Sequence, residues 1–315
     1  MTRPSSYYMF FLCAALVVLG AYPLNAENKS GRSPDIRPSV LSGTWYPGTR
    51  DELSRVIDQY LSNARGEPVA GELKAIIVPH AGYRFSGGVA AHAYSLLKGS
   101  HIDRVILIGP SHRMLFDGAS VNLQSGYKTP LGIVPVDQEF SRALISSGRE
   151  IRFIKTAHLM EHSLEIQIPF LQTVLQDFKI VPILISKQDF STCQKLADTI
   201  IRTMKGRGKT LLLASSDLSH FHSSEQAEVL DKRFIAHIKN LDPQGLAHDL
   251  SSGKCEACGH TAVITVLVAA RQLGVKKSEI LCYSHSGKVT GDNKRVVGYL
   301  SAALFKSYYK DPHRN

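Results

Sequence analysis

The chain has 315 residues, 43% hydrophobic and 20% charged, with a formal net charge of +10 and a pI near 9.3. That composition excludes a disordered chain and a disulfide-built miniprotein, and the length accommodates one large core or two modest ones. The basic residues fall in short, scattered clusters such as Lys205–Lys209, Lys276–Lys277 and Lys294–Arg295, without interleaved aromatics, so they read as a solvated surface and no nucleic-acid partner is expected.

Arg3 is the only charge before Glu27, and the apolar run Tyr7–Tyr22 lies between them. It is short for a membrane span, which needs about 20 apolar residues. It suits a secretory signal, with Leu24 and Ala26 at the −3 and −1 positions of a cleavage site. Residues 1–26 are therefore expected as a signal peptide, 27–40 as a linker and 41–308 as the folded domain. The expected location is periplasmic or secreted. The alternative is a membrane anchor formed by an uncleaved signal, the one case in which a membrane is a partner.

Beyond residue 40, apolar runs alternate with amphipathic segments. Strands are predicted at Lys74–Pro79, Arg104–Gly109, Ala119–Leu123, Leu131–Val136, Ile180–Ile185, Thr210–Ala214, Glu279–Tyr283 and Val296–Leu304. Helices are predicted at Gly87–Leu97, Asp137–Ser146, Ser163–Leu175 with a kink at Pro169, Thr192–Met204, Ser224–Ile238 and Gly259–Leu273. The alternation argues a single three-layer α/β domain, a central, mostly parallel sheet flanked by helices.

Ligands of such sheets bind beyond the carboxyl ends of the strands. Three runs end there in polar groups: "AIIVPH" at His80, "VILIGPSH" at His112 and "LLLASSD" at Asp217, the last continuing to His220. Imidazole with thiolate or carboxylate suits iron, copper or zinc. Cys258 opens an apolar helix, where a helix N-terminus favours thiolate. Asp217 and His220 are candidates for acid–base work or for capping the next helix. His162 and Glu165 lie three apart, on one face of a helix. Cys255 and Cys258 have CxxC spacing, but no second CxxC supports a four-thiolate zinc site. Gly206–Thr210 echoes a phosphate loop, yet Thr203 stands where its first glycine belongs and a strand follows. No GxSxG nucleophile elbow is present.

The motifs "GTWYPG" (43–48), "VPHAGYRFSGGVAAHAY" (78–94), "GPSH" (109–112), "TPLG" (129–132), "EHSLEIQIPFLQ" (161–172), "SSDLSHF" (215–221) and "CGHTAVI" (258–264) together resemble the Memo family, whose prokaryotic members are called AmmeMemoRadiSam system protein B. The resemblance spans about residues 40–305. It implies a fold similar to LigB-type class III extradiol dioxygenases and one metal ion, iron or copper, held by His80, His112 and Cys258. It further implies that His162, Asp217 and His220 line the same cleft as catalytic candidates. The expected function is a metal-dependent oxidoreductase, with iron as cofactor and copper or zinc as alternatives. A non-catalytic module that binds metal or peptide and a zinc-dependent hydrolase are the rival readings. The expected partners are a small molecule or peptide in the cleft, and a functional link to a radical-SAM protein. Cys255 is the nearest disulfide partner for Cys258 in sequence, and a disulfide between them would remove a ligand.

Overall fold

The computed structural model describes residues 33–64, 71–186 and 188–307. In chain order its elements are β1 (Ile36–Arg37), α1 (Arg50–Asn63), β2 (Glu72–Val78), α2 (Tyr83–Ser95), β3 (Arg104–Pro110), β4 (Ala119–Val121), β5 (Gly126–Thr129), β6 (Gly132–Pro135), α3 (Gln138–Ser147), β7 (Ile151–Arg152) and α4 (Lys155–Leu159). A 3-10 turn (Glu165–Gln167) then leads into α5 (Ile168–Val174), β8 (Lys179–Ile185), α6 (Phe190–Met204), β9 (Thr210–Ser215), β10 (His220–His222), α7 (Ser224–Lys239), α8 (Pro243–Ser251), α9 (His260–Gln272), β11 (Val275–His285), α10 (Gly287–Thr290) and β12 (Val296–Lys306).

The central strands β2-β9-β3-β8 run parallel in that spatial order. Alternate side chains of each strand enter two different cores: Ala75 and Ile77 join Leu212 and Ile106 on one face, while Ile76 and Val78 join Leu213 and Leu107 on the other. This two-sided burial is why the strands read as continuous apolar runs. Helices α3, α6, α7, α8 and α9 cover the first face, and α1, α2 and α5 the second. The result is the expected single α/β domain with helices on both sides of the sheet. Its flanks are antiparallel: β12 beside β2, β11 and β10 beside β12, and β4 beside β8. Strands β1, β5 and β6 form a separate small sheet. Among the described residues, no helix is long and apolar enough to cross a membrane.

The expected signal at 1–26 and the first part of the expected linker lie outside the described residues. The rest of that linker is corrected. Residues from Pro34 onward belong to the compact unit, β1 pairs with β5, and Arg37 is fully buried. The cause is Glu165, a buried carboxylate that must be paired. It accepts hydrogen bonds from Arg37 Nη1 (2.6 Å), Ser39 Oγ, Tyr46 OH and the backbone N–H groups of Val40 and Leu41. Glu165 thus serves the fold and does not share a helix face with His162. The kinked helix predicted over Ser163–Leu175 is also corrected: a 3-10 turn ends at Gln167, and Pro169 occupies the first turn of α5, where its missing N–H costs nothing.

Candidate metal centre

His80 follows β2 and His112 follows β3, and β9 runs between these strands, carrying Asp217 just past its own end. Three separate strand ends therefore deliver side chains to one place. Two glycines let other segments close over them. A Cβ on Gly259 would stand 2.3 Å from Ser215 O, so only glycine lets the start of α9 bring Cys258 against β9. A Cβ on Gly109 would stand 2.7 Å from Ser163 Oγ, so only glycine lets the 161–165 segment cross the end of β3.

The ligand atoms of His80, His112 and Cys258 all lie within 4.8 Å of one another. Cys258 Sγ is 3.0 Å from His80 Nε2, and the His80 and His112 rings meet edge to face with centroids 5.2 Å apart. Hydrogen bonds fix both imidazoles. Pro79 O can only accept, so Gln167 Nε2 donates to it (2.9 Å) and, with its second hydrogen, to Ser215 Oγ (2.9 Å). Ser215 spends its single proton on Ser163 O (2.6 Å). The 3.0 Å bond between Ser215 Oγ and His80 Nδ1 must then be donated by the ring, which leaves a lone pair on His80 Nε2. For His112 a carboxylate does this work: Glu161 accepts from its Nδ1 (2.9 Å) and from its backbone N–H (2.6 Å), so Nε2 is again the free ligand atom.

Burial opposes a charge on Glu161, yet the bonds from His112, its neighbour His162 and Ser163 N–H outweigh it and bring the pKa down to about 2. His162 stacks on His112 with centroids 4.4 Å apart and lies 4.6 Å from Trp45; burial brings its pKa down to about 4. Asp217 accepts from His80 N–H at 2.7 Å, and burial pushes its pKa up to about 7 against that bond. His220 is a partly buried residue of β10 whose pKa is lowered by burial. Neither Asp217 nor His220 caps the next helix, since Ser223 does so for α7. Thiolate favoured at the start of α9 is corrected for the metal-free protein: burial, then the nearby Asp217, pushes the Cys258 thiol well above its ordinary value. The S–H is therefore retained and donates to His80 Nε2. Cys193, Cys255, Cys258 and Cys282 are all free thiols, with Cys255 packed into the core.

The donor set fits a metal. It offers two imidazole lone pairs of fixed direction and a sulfur whose proton a cation would displace. Thiolate with imidazole favours iron, copper or zinc over magnesium or calcium. His80, His112, His162, Asp217 and His220, all five expected here, line a cleft of about 590 Å³ walled by Trp45, Phe85 and Tyr299. His112, His220 and Cys258 also face a second groove of about 1000 Å³ toward α8 and α9. Sequence reasoning missed Glu161, Ser215 and Gln167 as orienting groups. Only the "EHS" juxtaposition hinted at the first, and its partner is 49 residues away.

The family model for Memo-like proteins matches residues 37–303. A MEMO1 family protein of Methanobrevibacter smithii is 35% identical over 282 residues, covering 86% of this chain and 100% of the relative. One from Sulfolobus acidocaldarius is 42% identical over 280 residues, covering 84% of this chain and 98% of the relative. One from Nitrosopumilus maritimus is 33% identical over 269 residues, covering 84% and 98%. With a family model spanning the domain and such relatives matched nearly end to end, this chain belongs to the Memo family.

Proposed function

We propose that the chain is a metal-dependent oxidoreductase that binds one iron ion, or copper in its place, through His80 Nε2, His112 Nε2 and Cys258 Sγ. The observation that carries this reading is the pair of hydrogen-bond locks on the imidazoles. Both leave Nε2 as the free ring nitrogen, and the two rings offer ligand atoms within 4.8 Å of the same thiol, a convergence that packing alone does not require. When bound, such a metal supplies electron transfer or Lewis acidity at positions the three ligands leave open. The chain's own groups supply the rest. Asp217, with a pKa of about 7, holds and releases a proton near neutrality at the cleft floor. His162 and His220 present imidazoles beside it, and Trp45, Phe85 and Tyr299 keep the cleft partly dry. Export with removal of residues 1–26 is part of the proposal, and sequencing the mature N-terminus checks it.

A binding module for a small molecule or peptide is the second reading, favoured by the roomy groove that reaches Cys258 from the α8–α9 side. Metal analysis of anaerobically purified protein, followed by oxygen-uptake assays, separates the two. About one iron or copper per chain with oxygen-dependent turnover supports the oxidoreductase. Full occupancy with no turnover, and peptide binding that survives metal removal, supports the module. Zinc with oxygen-independent hydrolysis overturns both.

A further inference from the structure

Nine large hydrophobic side chains are exposed among the described residues, and six of them, Trp45, Met114, Leu115, Leu159, Met160 and Phe221, lie on the segments that build the metal centre. Met114 and Leu115 follow His112, Leu159 and Met160 precede Glu161, Phe221 stands between His220 and His222, and Trp45 walls the cleft. The first two segments touch, since Thr156 Oγ1 reaches Met114 Sδ at 3.7 Å. Each of the six lines the cleft or lies within three positions of a residue that does, and exposed apolar residues gathered in this way mark a contact surface, whereas scattered ones would not.

The shape and charge of the rim indicate what it contacts. Leu115 is 81% exposed and Phe221 62% exposed, so both stand in solvent, and neither lines the cleft or the groove beside it. Phe221 is held at φ 64°, a left-handed conformation that a bulky residue adopts only under constraint, and this keeps its ring in solvent. The Arg295 guanidinium lies over that ring at 5.2 Å, and Arg113 adjoins Met114. Arg84 lines the cleft itself. No ion pair joins any of these three arginines to a carboxylate among the described residues. A chain of net charge +10 thus sets exposed apolar side chains and unpaired arginines on the segments that flank the cleft-lining residues. That combination complements an anionic bilayer surface, where apolar tips enter the headgroup boundary and arginines meet phosphates.

We infer that the cleft rim is a membrane-docking footprint: Met114, Leu115, Met160 and Phe221 insert at the interface of a bilayer rich in anionic lipid, with Arg113 and Arg295 on its headgroups. The cleft then opens toward the membrane. This inference does not depend on which metal, if any, the centre holds.

The test uses residues 27–315. The domain stands alone in relatives, one of which is matched over 100% of its own length. Vesicles of phosphatidylcholine with phosphatidylglycerol, and of phosphatidylcholine alone, are mixed with the protein. Sedimentation is read together with the emission of Trp45, the only tryptophan of the chain. Binding to the anionic vesicles with a blue shift of Trp45 is expected, and little binding to the neutral ones. Leu115→Asp combined with Phe221→Asp is expected to weaken binding at least about tenfold. Arg113→Gln combined with Arg295→Gln is expected to weaken it several-fold and to flatten its salt dependence. Circular dichroism confirms folding of each variant. Absence of vesicle binding, or equal binding by wild type and both variants, overturns the inference. An unshifted Trp45 that nevertheless responds to a soluble protein partner assigns the rim to protein recognition.

Discussion

The two imidazoles of the centre are held by opposite means. The His80 ring rests on neutral groups, Ser215, Gln167 and, behind them, Tyr94, whose hydroxyl donates to Gln167 Oε1 at 2.7 Å, while only its backbone N–H meets the Asp217 carboxyl group. His112 rests on charge: Glu161, and behind it Arg37, which donates to Glu161 O at 2.7 Å and pairs with the buried Glu165. A chain of hydroxyl and amide groups fixes the direction of a lone pair without adding charge. A carboxylate fixes direction, raises the basicity of the ring and partly offsets the charge of a bound cation. One half of the site should therefore be insensitive to charge perturbation and the other sensitive.

The largest effect treats the halves alike. His80→Ala, His112→Ala and Cys258→Ser are each expected to reduce metal content to near zero by plasma mass spectrometry while circular dichroism is unchanged. Folded His80→Ala and His112→Ala proteins that keep full metal would show the assigned site to be wrong. Removing supports then separates the halves. Arg37→Ala leaves Glu165 without its counter-charge and is expected to cost about 3–5 kcal/mol in urea unfolding. Ser215→Ala, which breaks only neutral bonds, is expected to cost about 1–3 kcal/mol. The reverse ranking would abolish the contrast.

Metal affinity sharpens it further. Glu161→Gln is expected to weaken binding toward the upper end of a range of about 10–100-fold, and Ser215→Ala toward the lower end, by competition with a chelator. The charged half also predicts a pH response. His158, whose backbone carbonyl accepts from Arg37, has its pKa brought down from 6.5 to about 3 by burial and then by the Arg37 charge. Between those values the unfolded chain binds a proton that the native one excludes. Stability should therefore be complete above about 6.5 and decline as the pH falls toward about 3. His158→Gln should flatten that decline in acid unfolding curves, and an unchanged slope would remove His158 from the account. The smallest effect on metal content belongs to Asp217→Asn, which keeps the shape and removes the carboxylate. Metal should stay, while any metal-dependent turnover falls.

The residues of the candidate centre were legible in the sequence because each ends or begins an apolar run: His80, His112 and Asp217 follow strands, and Cys258 precedes the most apolar helix. The supports were not legible, because hydrogen bonds such as Arg37 to Glu165 join residues 128 positions apart and leave no periodic trace. Helix α1 buries only Leu53, Ile57 and Leu61, a thin stripe among charges, although Thr49 three residues before Glu52 is a helix-start signature that was there to be used. Asp242 before Pro243 announced α8 in the same way. Cys258 was misjudged in protonation because the helix-terminus argument ignored how deeply the thiol would be buried beside Asp217.

The placement of β9 between β2 and β3 bears on how the protein is made. As the chain emerges during synthesis or secretion, the two imidazoles appear early, but the strand that separates their carriers, and then the thiol, come much later. A partly emerged chain has histidines without geometry. If the centre takes the ion proposed above, loading would wait until nearly the whole domain has folded, so a chain that crossed a membrane unfolded would acquire its ion at its destination, from whatever metal that compartment supplies.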